Sequence, residues 1–339
     1  MKNVWKWAAL VVVGIIVVVA IISNSKKETK IVSIEGETKL STVSIAVNPW
    51  IGSGLYYVAE EKGFFKKNGV SVELTDFLDG AVGKQLMASG KVDAMASLTP
   101  ETPILLADAG VEAQIIAVTD LSVGADGIIV DGSINTLEDL RGKKVAVESG
   151  SPSQFFLEYL LKEKGMTSRD LEIVDMPSPD AGAAFVSGAV DAAVTWEPWI
   201  SQSTDREGGK ILVNSSDVPI LPGMLIATKS AINTKSTELA AVSKALFEAA
   251  EWIESNQAEA AGIMARRFAI TEQDVIDQYP TFRFLTMDES YASFNGGEID
   301  VYGLLDKAAI IWADMGFLSG DTAIDTRSLV NNSIAKMLK

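Results

Sequence analysis

Trp196-Glu197-Pro198-Trp199 sets one carboxylate between two indole rings, directly after the apolar run Ala192-Ala193-Val194. An indole face attracts a cation by about 0.5–2 kcal/mol, and an adjacent carboxylate adds an acceptor for an ammonium group. Trp196 and Glu197 can therefore hold a positive or hydrogen-donating ligand. Equally, Glu197 can be the acidic first turn of a helix, with Trp199 in the core. The segment Glu148-Ser149-Gly150-Ser151-Pro152-Ser153 offers the opposite chemistry. Ser151 caps a helix whose first position is Pro152, and the free N–H groups there suit an anion, with Ser153 close by. An ordinary N-cap without a ligand has the same sequence.

The turn Asn48-Pro49-Trp50-Ile51-Gly52-Ser53-Gly54 brings backbone that can approach a ligand closely, with Ser53 in its path. Trp50 and Tyr56 form an aromatic wall there, or Trp50 is a buried core aromatic. Thr99, Asp120 and Asp126 complete the candidates. Two acids in a glycine-containing loop bind an amine or guanidinium, or cap turns, which is the commoner role of Asp in loops. Phe282-Arg283-Phe284 offers a cation among aromatics and reads as a surface arginine stacked on its neighbours.

What the chain lacks is as informative. It contains no Cys and no His, so a Cys nucleophile, a Ser-His-Asp triad, a histidine base and the usual zinc sites are excluded. No metal and no cofactor is expected, and enzymatic turnover is not. Lys plus Arg number 29 against 45 Asp plus Glu, a net charge of −16. That balance argues against nucleic acid, which needs a basic stripe.

These candidates need elements to position them, and a repeat supplies the outline. Ala88-Ser89-Gly90-Lys91-Val92-Asp93-Ala94 recurs as Val186-Ser187-Gly188-Ala189-Val190-Asp191-Ala192, each copy followed by a proline, Pro100 or Pro198. Each copy reads as a helix end, a glycine in the left-handed cap, a buried strand and a turn into a new helix. Two such units imply two α/β lobes. The strand-to-helix handover, with Thr99 and Glu101 in one copy and Trp196 and Glu197 in the other, is where open α/β sheets bind ligands. β and α patterns alternate from Val43 to Ala227, and after Ser236 helical patterns dominate up to a last helix over Thr326–Leu338. The chain crosses between lobes near Ile128–Asp131 and near Pro219–Gly223, forming a hinge, and the late helices pack back on the first lobe. The expected divisions are a signal or anchor over 1–23, a polar tether over 24–42, lobe 1 over 43–128, lobe 2 over 129–222, and a return to lobe 1 with C-terminal helices over 223–339.

The N-terminus begins with Lys2 and Lys6 and then runs from Trp7 to Ile22 without a polar residue. Signal-peptide cores take about 7–15 residues and spanning helices about 17–25, so export is expected, with the segment retained as a membrane anchor.

Ala46-Val47-Asn48-Pro49-Trp50, Ala59-Glu60-Glu61-Lys62-Gly63-Phe64-Phe65, Leu137-Glu138-Asp139-Leu140-Arg141-Gly142-Lys143-Lys144 and Thr195-Trp196-Glu197-Pro198 together resemble substrate-binding proteins of ATP-driven (ABC) importers, the group that takes sulfonates, taurine, nitrate and thiamine pyrimidines. The resemblance runs from Val43 to Leu338. It implies a two-lobed type II periplasmic-binding-protein fold that captures a small-molecule solute by hinge closure, acts outside the cytoplasm as a monomer, and delivers to an ABC permease and ATPase. Arg and Lys are sparse around the expected cleft, which weighs against simple sulfonate or nitrate. A small polar nitrogen-containing solute, taurine-like or pyrimidine-like, is expected. A membrane-tethered sensor for a separate signalling partner is the alternative.

Overall fold

The computed structural model describes residues 40–97, 100–319 and 324–338. The expected anchor over 1–23, nearly all of the tether and Thr99 lie outside the described residues. Among those described, no helix is long and apolar enough to cross a membrane.

The first lobe begins β1 (Thr42–Val47), α1 (Gly54–Glu61), α2 (Phe64–Lys67), β2 (Ser71–Asp76), α3 (Gly80–Ala88), β3 (Ala94–Ser97), α4 (Glu101–Asp108) and β4 (Ala113–Ser122). The second comprises β5 (Asp126–Val130), β6 (Lys144–Val147), α5 (Pro152–Glu163), β7 (Glu172–Asp175), α6 (Ser178–Val186), β8 (Ala192–Trp196) and β9 (Lys210–Asn214). The chain returns through β10 (Pro222–Thr228), α7 (Lys229–Thr234), α8 (Ser236–Ser255), α9 (Gln257–Phe268), α10 (Glu272–Gln278), β11 (Phe282–Phe284), α11 (Met287–Ser293), α12 (Val301–Asp314) and α13 (Asn332–Lys336).

The two sheets run β11-β4-β10-β3-β1-β2 and β7-β6-β8-β5-β9. Each has a parallel trio, β2-β1-β3 or β7-β6-β8, extended by one antiparallel strand donated from the other side of the hinge, β10 or β5. The sequence repeat maps onto this symmetry. Gly90 and Gly188 both adopt positive φ, 66° and 80°, which only glycine takes cheaply. Asp93 Oδ2 accepts the Ser44 amide at 2.8 Å, and Asp191 Oδ2 accepts the Lys144 amide at 2.9 Å, so each tacks its loop to the start of the central strand.

The first passage between sheets lies at Val123–Ala125, upstream of the Ile128–Asp131 expected, because Asp126 already pairs with Trp196 in the second sheet. The second covers 215–221, between β9 and β10. Phe282–Phe284, among the late helices, forms an edge strand on β4, and Arg283 there pairs with Glu289 at 2.8 Å. One further expectation is corrected. The expected last helix is split into a short 3-10 turn, Thr326–Leu329, and α13, because Val330 bridges in parallel to Ile115.

Apolar periodicity explains the packing. Val43, Ile45 and Val47 alternate along β1 and share a cluster with Leu246 of α8 and Met264 of α9. A second cluster runs from Ile104 and Met224 in the first lobe through Trp312 of α12 to Phe155 and Leu161 of α5. Helix α12 packs on α4 and also on α5, so the helical extension touches both lobes.

Candidate functional site

The parallel strands of both sheets run out into loops and helix starts that face one another across a small cavity of about 50 Å³. From the first lobe it is lined by Asn48 after β1, Phe77 and Gly80 after β2, Met95 and Ala96 of β3, Lys84 of α3, and Glu101 and Thr102 opening α4. Glu148, Gly150, Ser151 and Pro152 close it from the second lobe. A wider basin of about 460 Å³ outside shares Lys84, Glu148 and Gly150. This is the carboxyl-end crevice in which open α/β sheets hold ligands.

Glu101 is 1% exposed. Its Oε1 accepts from the Thr102 hydroxyl at 2.8 Å, while Oε2 has no partner among the described residues. Burial pushes its carboxyl above the ordinary glutamate range, the charge of Lys84 pulls the other way, and Glu148 adds to the rise. Lys84 Nζ donates to Gly150 O at 3.1 Å and so joins the lobes. Glu148 Oε2 accepts both the amide and the hydroxyl of Ser178, at 3.0 and 2.9 Å. The cavity thus has one ammonium and two carboxylates at its edge, and one buried acceptor in need of a donor.

Of the residues expected from sequence, Ser151 lines this cavity. Its hydroxyl caps α5, accepting the Gln154 amide at 3.2 Å and donating to Glu148 O at 2.6 Å. Ser153 sits one layer back, with Oγ 3.2 Å from Ser178 Oγ, and Ser53 donates to Asn48 Oδ1 at 2.8 Å. Glu197 directs both carboxylate oxygens at Ser201, at 3.1 Å from its amide and 2.8 Å from its hydroxyl, and Trp196 is half-buried at the end of β8.

The remaining acids are strand residues rather than turn caps. Asp120 ends in a buried pocket, accepting Trp50 Nε1 at 3.0 Å and the Thr119 hydroxyl at 2.8 Å. Trp50 packs edge-on to Phe282, and the buried Tyr56 hydroxyl lies beside Asp120 and Thr119. Asp126 lies at the hinge. Ser122 Oγ donates to its Oδ2 at 2.6 Å and sits 2.7 Å from Ser215 Oγ, which also accepts the Gly124 amide at 2.7 Å. These bonds tie the two lobe-connecting segments together. Burial, with Asp120 and Glu197 nearby, raises Asp126 to about 7.

Sequence reasoning noticed Glu101 at its strand-to-helix junction but did not carry it forward, and it missed Lys84. The signal for Lys84 was its place in the second turn after the Asp79 cap, since helical side chains lean toward the N-terminus and reach over the helix start. Lys84 is the one exception, among the residues lining that cavity, to the sparseness of Arg and Lys expected around the cleft.

Known proteins place this architecture. A protein of Bacillus subtilis (strain 168) named for aliphatic-sulfonate binding is 29% identical over 214 residues, 61% of this chain. The match covers 64% of that protein, just under two thirds of its length. The crystal structure of the periplasmic aliphatic sulphonate binding protein SsuA from Escherichia coli superposes with a TM-score of 0.72 at 19% identity, over 86% of this chain and 92% of that one. The periplasmic nitrate-binding protein NrtA from Synechocystis PCC 6803 gives 0.69 at 18% identity, over 87% of each chain. The likeness to the solved structures establishes the two-lobed α/β periplasmic-binding-protein fold. The NMT1-like family model matches residues 36–269, and the chain belongs to that family.

Proposed function

We propose that this chain is an extracytoplasmic solute-binding protein of an ABC importer, and that its ligand is a small solute carrying both an anionic group and an N–H donor. The unpartnered Glu101 Oε2, buried beside the cleft cavity with Lys84 at the same wall, carries this reading. An ammonium or amide donor satisfies Glu101, and Lys84 with the first turn of α5 takes the anionic end. Family membership and the binding roles for which the sulfonate- and nitrate-binding relatives are named support the transport role. An aminosulfonate of taurine type matches both halves; a simple inorganic anion leaves Glu101 unsatisfied. Ligand contacts to both lobes favour the closed arrangement by differential affinity. The permease and ATPase are the partners this role requires, and the N-terminal run is the proposed membrane attachment.

Calorimetric titration with taurine, alkylsulfonates, nitrate and pyrimidines tests this. Taurine-type binding that falls at least about 10-fold in both Glu101→Gln and Lys84→Met supports it. A ligand bound equally well by both variants, or no binding across the panel, rejects the assignment.

A further inference from the structure

A second cavity, about 520 Å³, opens between the two lobes on the far side of Phe317. One wall is the second lobe: Glu158 of α5, Met166 after it, and Ile173 of β7. The other wall is the end of the helical extension: Ile311, Met315 and Phe317. Its size falls within the range of small-molecule sites, and its walls set an apolar patch of Met166, Ile173, Ile311, Met315 and Phe317 beside polar and charged groups.

Glu158 is the group that asks for a ligand. The residue is 4% exposed, and its Oε1 has no hydrogen-bond partner among the described residues. Oε2 accepts the Ser168 amide at a long 3.4 Å, with the Ser168 hydroxyl and the charge of Arg169 close to the carboxylate. A buried carboxylate oxygen without a donor is costly, and the same position filled by Leu or Met would pack without that cost. Of the two rim cations, Lys162 is held in an ion pair. Lys162 pairs with Asp314 at 2.5 Å, and the exposed Arg169 reaches Asp314 O at 3.4 Å. A donor therefore finds a ready acceptor in Glu158 Oε1.

We infer that this cavity is a second ligand site, taking a primary amine on a short apolar body, with the amine on Glu158 and the body between Met166 and Ile311. The site adjoins the basin outside the solute cleft, sharing Ser149 and Phe317 with it, and stands whether or not the cleft binds an aminosulfonate. Its two walls belong to parts of the chain that move relative to each other if the lobes open. Ser319 anchors the end of the extension to the first lobe, donating to Asp108 at 2.9 Å, while Lys162–Asp314 anchors it to the second. An amine held here acts on the closed arrangement without touching the solute.

The test is calorimetric titration of the full chain with 2-phenylethylamine, with hexanoate as the anionic counterpart. The expected result is one saturable amine site and no hexanoate binding. Affinity should fall at least about 10-fold in the isosteric Glu158→Gln and be lost in the cavity-filling Met166→Trp. Ile311→Phe fills the same space from the opposite wall and serves if Met166→Trp melts early by circular dichroism. Glu101→Gln, in the solute cleft, should leave amine binding unchanged. No saturable binding, binding indifferent to Glu158→Gln, or binding lost with Glu101→Gln overturns the assignment.

Discussion

The indole N–H of Trp50 donates to Asp120 Oδ2 at 3.0 Å, with both side chains buried. This pairing makes Trp50 a support for a strand acid. A Cβ at Gly223 would overlap Asp120 Oδ1, so the strand opposite must be bare at that point. Gly223→Ala should lower stability by about 1–3 kcal/mol through overpacking. Trp50→Phe should cost a similar amount by leaving an Asp120 oxygen short of its donor. Denaturant melts of both variants check this, and a Gly223→Ala protein as stable as the parent would contradict it.

Asp126 predicts an unusual pH dependence. Its carboxyl titrates near 7 in the folded chain against an ordinary value of 3.8, so the native state holds the proton more tightly than the unfolded state does. Its stabilisation is complete below about 3.8 and is lost as pH rises through about 7, on the order of a few kcal/mol. Asp93 acts in the opposite sense. Burial works against its ionised form, but Lys235 and Ser44 outweigh that and hold its carboxyl below the ordinary range. Its contribution disappears as pH falls through that lowered value. Thermal melts across pH 3–9 should therefore peak on the acid side of neutrality, and Asp126→Asn should flatten the decline toward neutral pH. An unchanged profile in Asp126→Asn would locate the effect elsewhere.

The symmetry-related Asp93 and Asp191 should not be equal in weight. Both accept a backbone amide from the neighbouring strand, but Asp93 also receives Ser44 Oγ at 3.0 Å and pairs with Lys235 at 2.8 Å. Asp93→Ala should cost about 1–3 kcal/mol and Asp191→Ala about 1 kcal/mol, as chemical denaturation would show. The reverse order would mean that the repeat's second copy carries more of the fold than its bonds suggest.

Glu101→Met should trade ligand binding for stability. Removing a buried acceptor without a donor relieves about 1–3 kcal/mol in the ligand-free protein, while the solute loses its partner. A raised melting temperature together with weaker solute binding is the expected pair of results. A lowered melting temperature would show that Glu101 is supported by groups outside the described residues.

Local chemistry made much of the fold legible. The repeat could be read because Gly90 and Gly188 must take left-handed backbone, and because Val92 and Val190 are short buried anchors after them. The hinge was displaced because Ile128-Ile129-Val130 is as apolar as any strand, and an apolar run does not say which sheet it joins. The second sheet claims Asp126 through its pairing with Trp196, a partner far along the chain. Site residues divided along the same line. Ser151 was found because its capping role is written in adjacent residues, whereas Lys84 reaches Gly150 across the lobes. Glu197 holds Ser201 four residues on, a local role that its sequence allowed alongside ligand binding.

The insertion of β10 between β3 and β4 bears on how the chain is made. Synthesis delivers β1 to β4 first, yet these strands cannot form one continuous sheet until Pro222–Thr228 has emerged and slotted between them. The second lobe has its full complement of strands earlier, at Asn214. Vectorial production therefore leaves the N-terminal half waiting on a distant segment, a high-contact-order step that slows its completion.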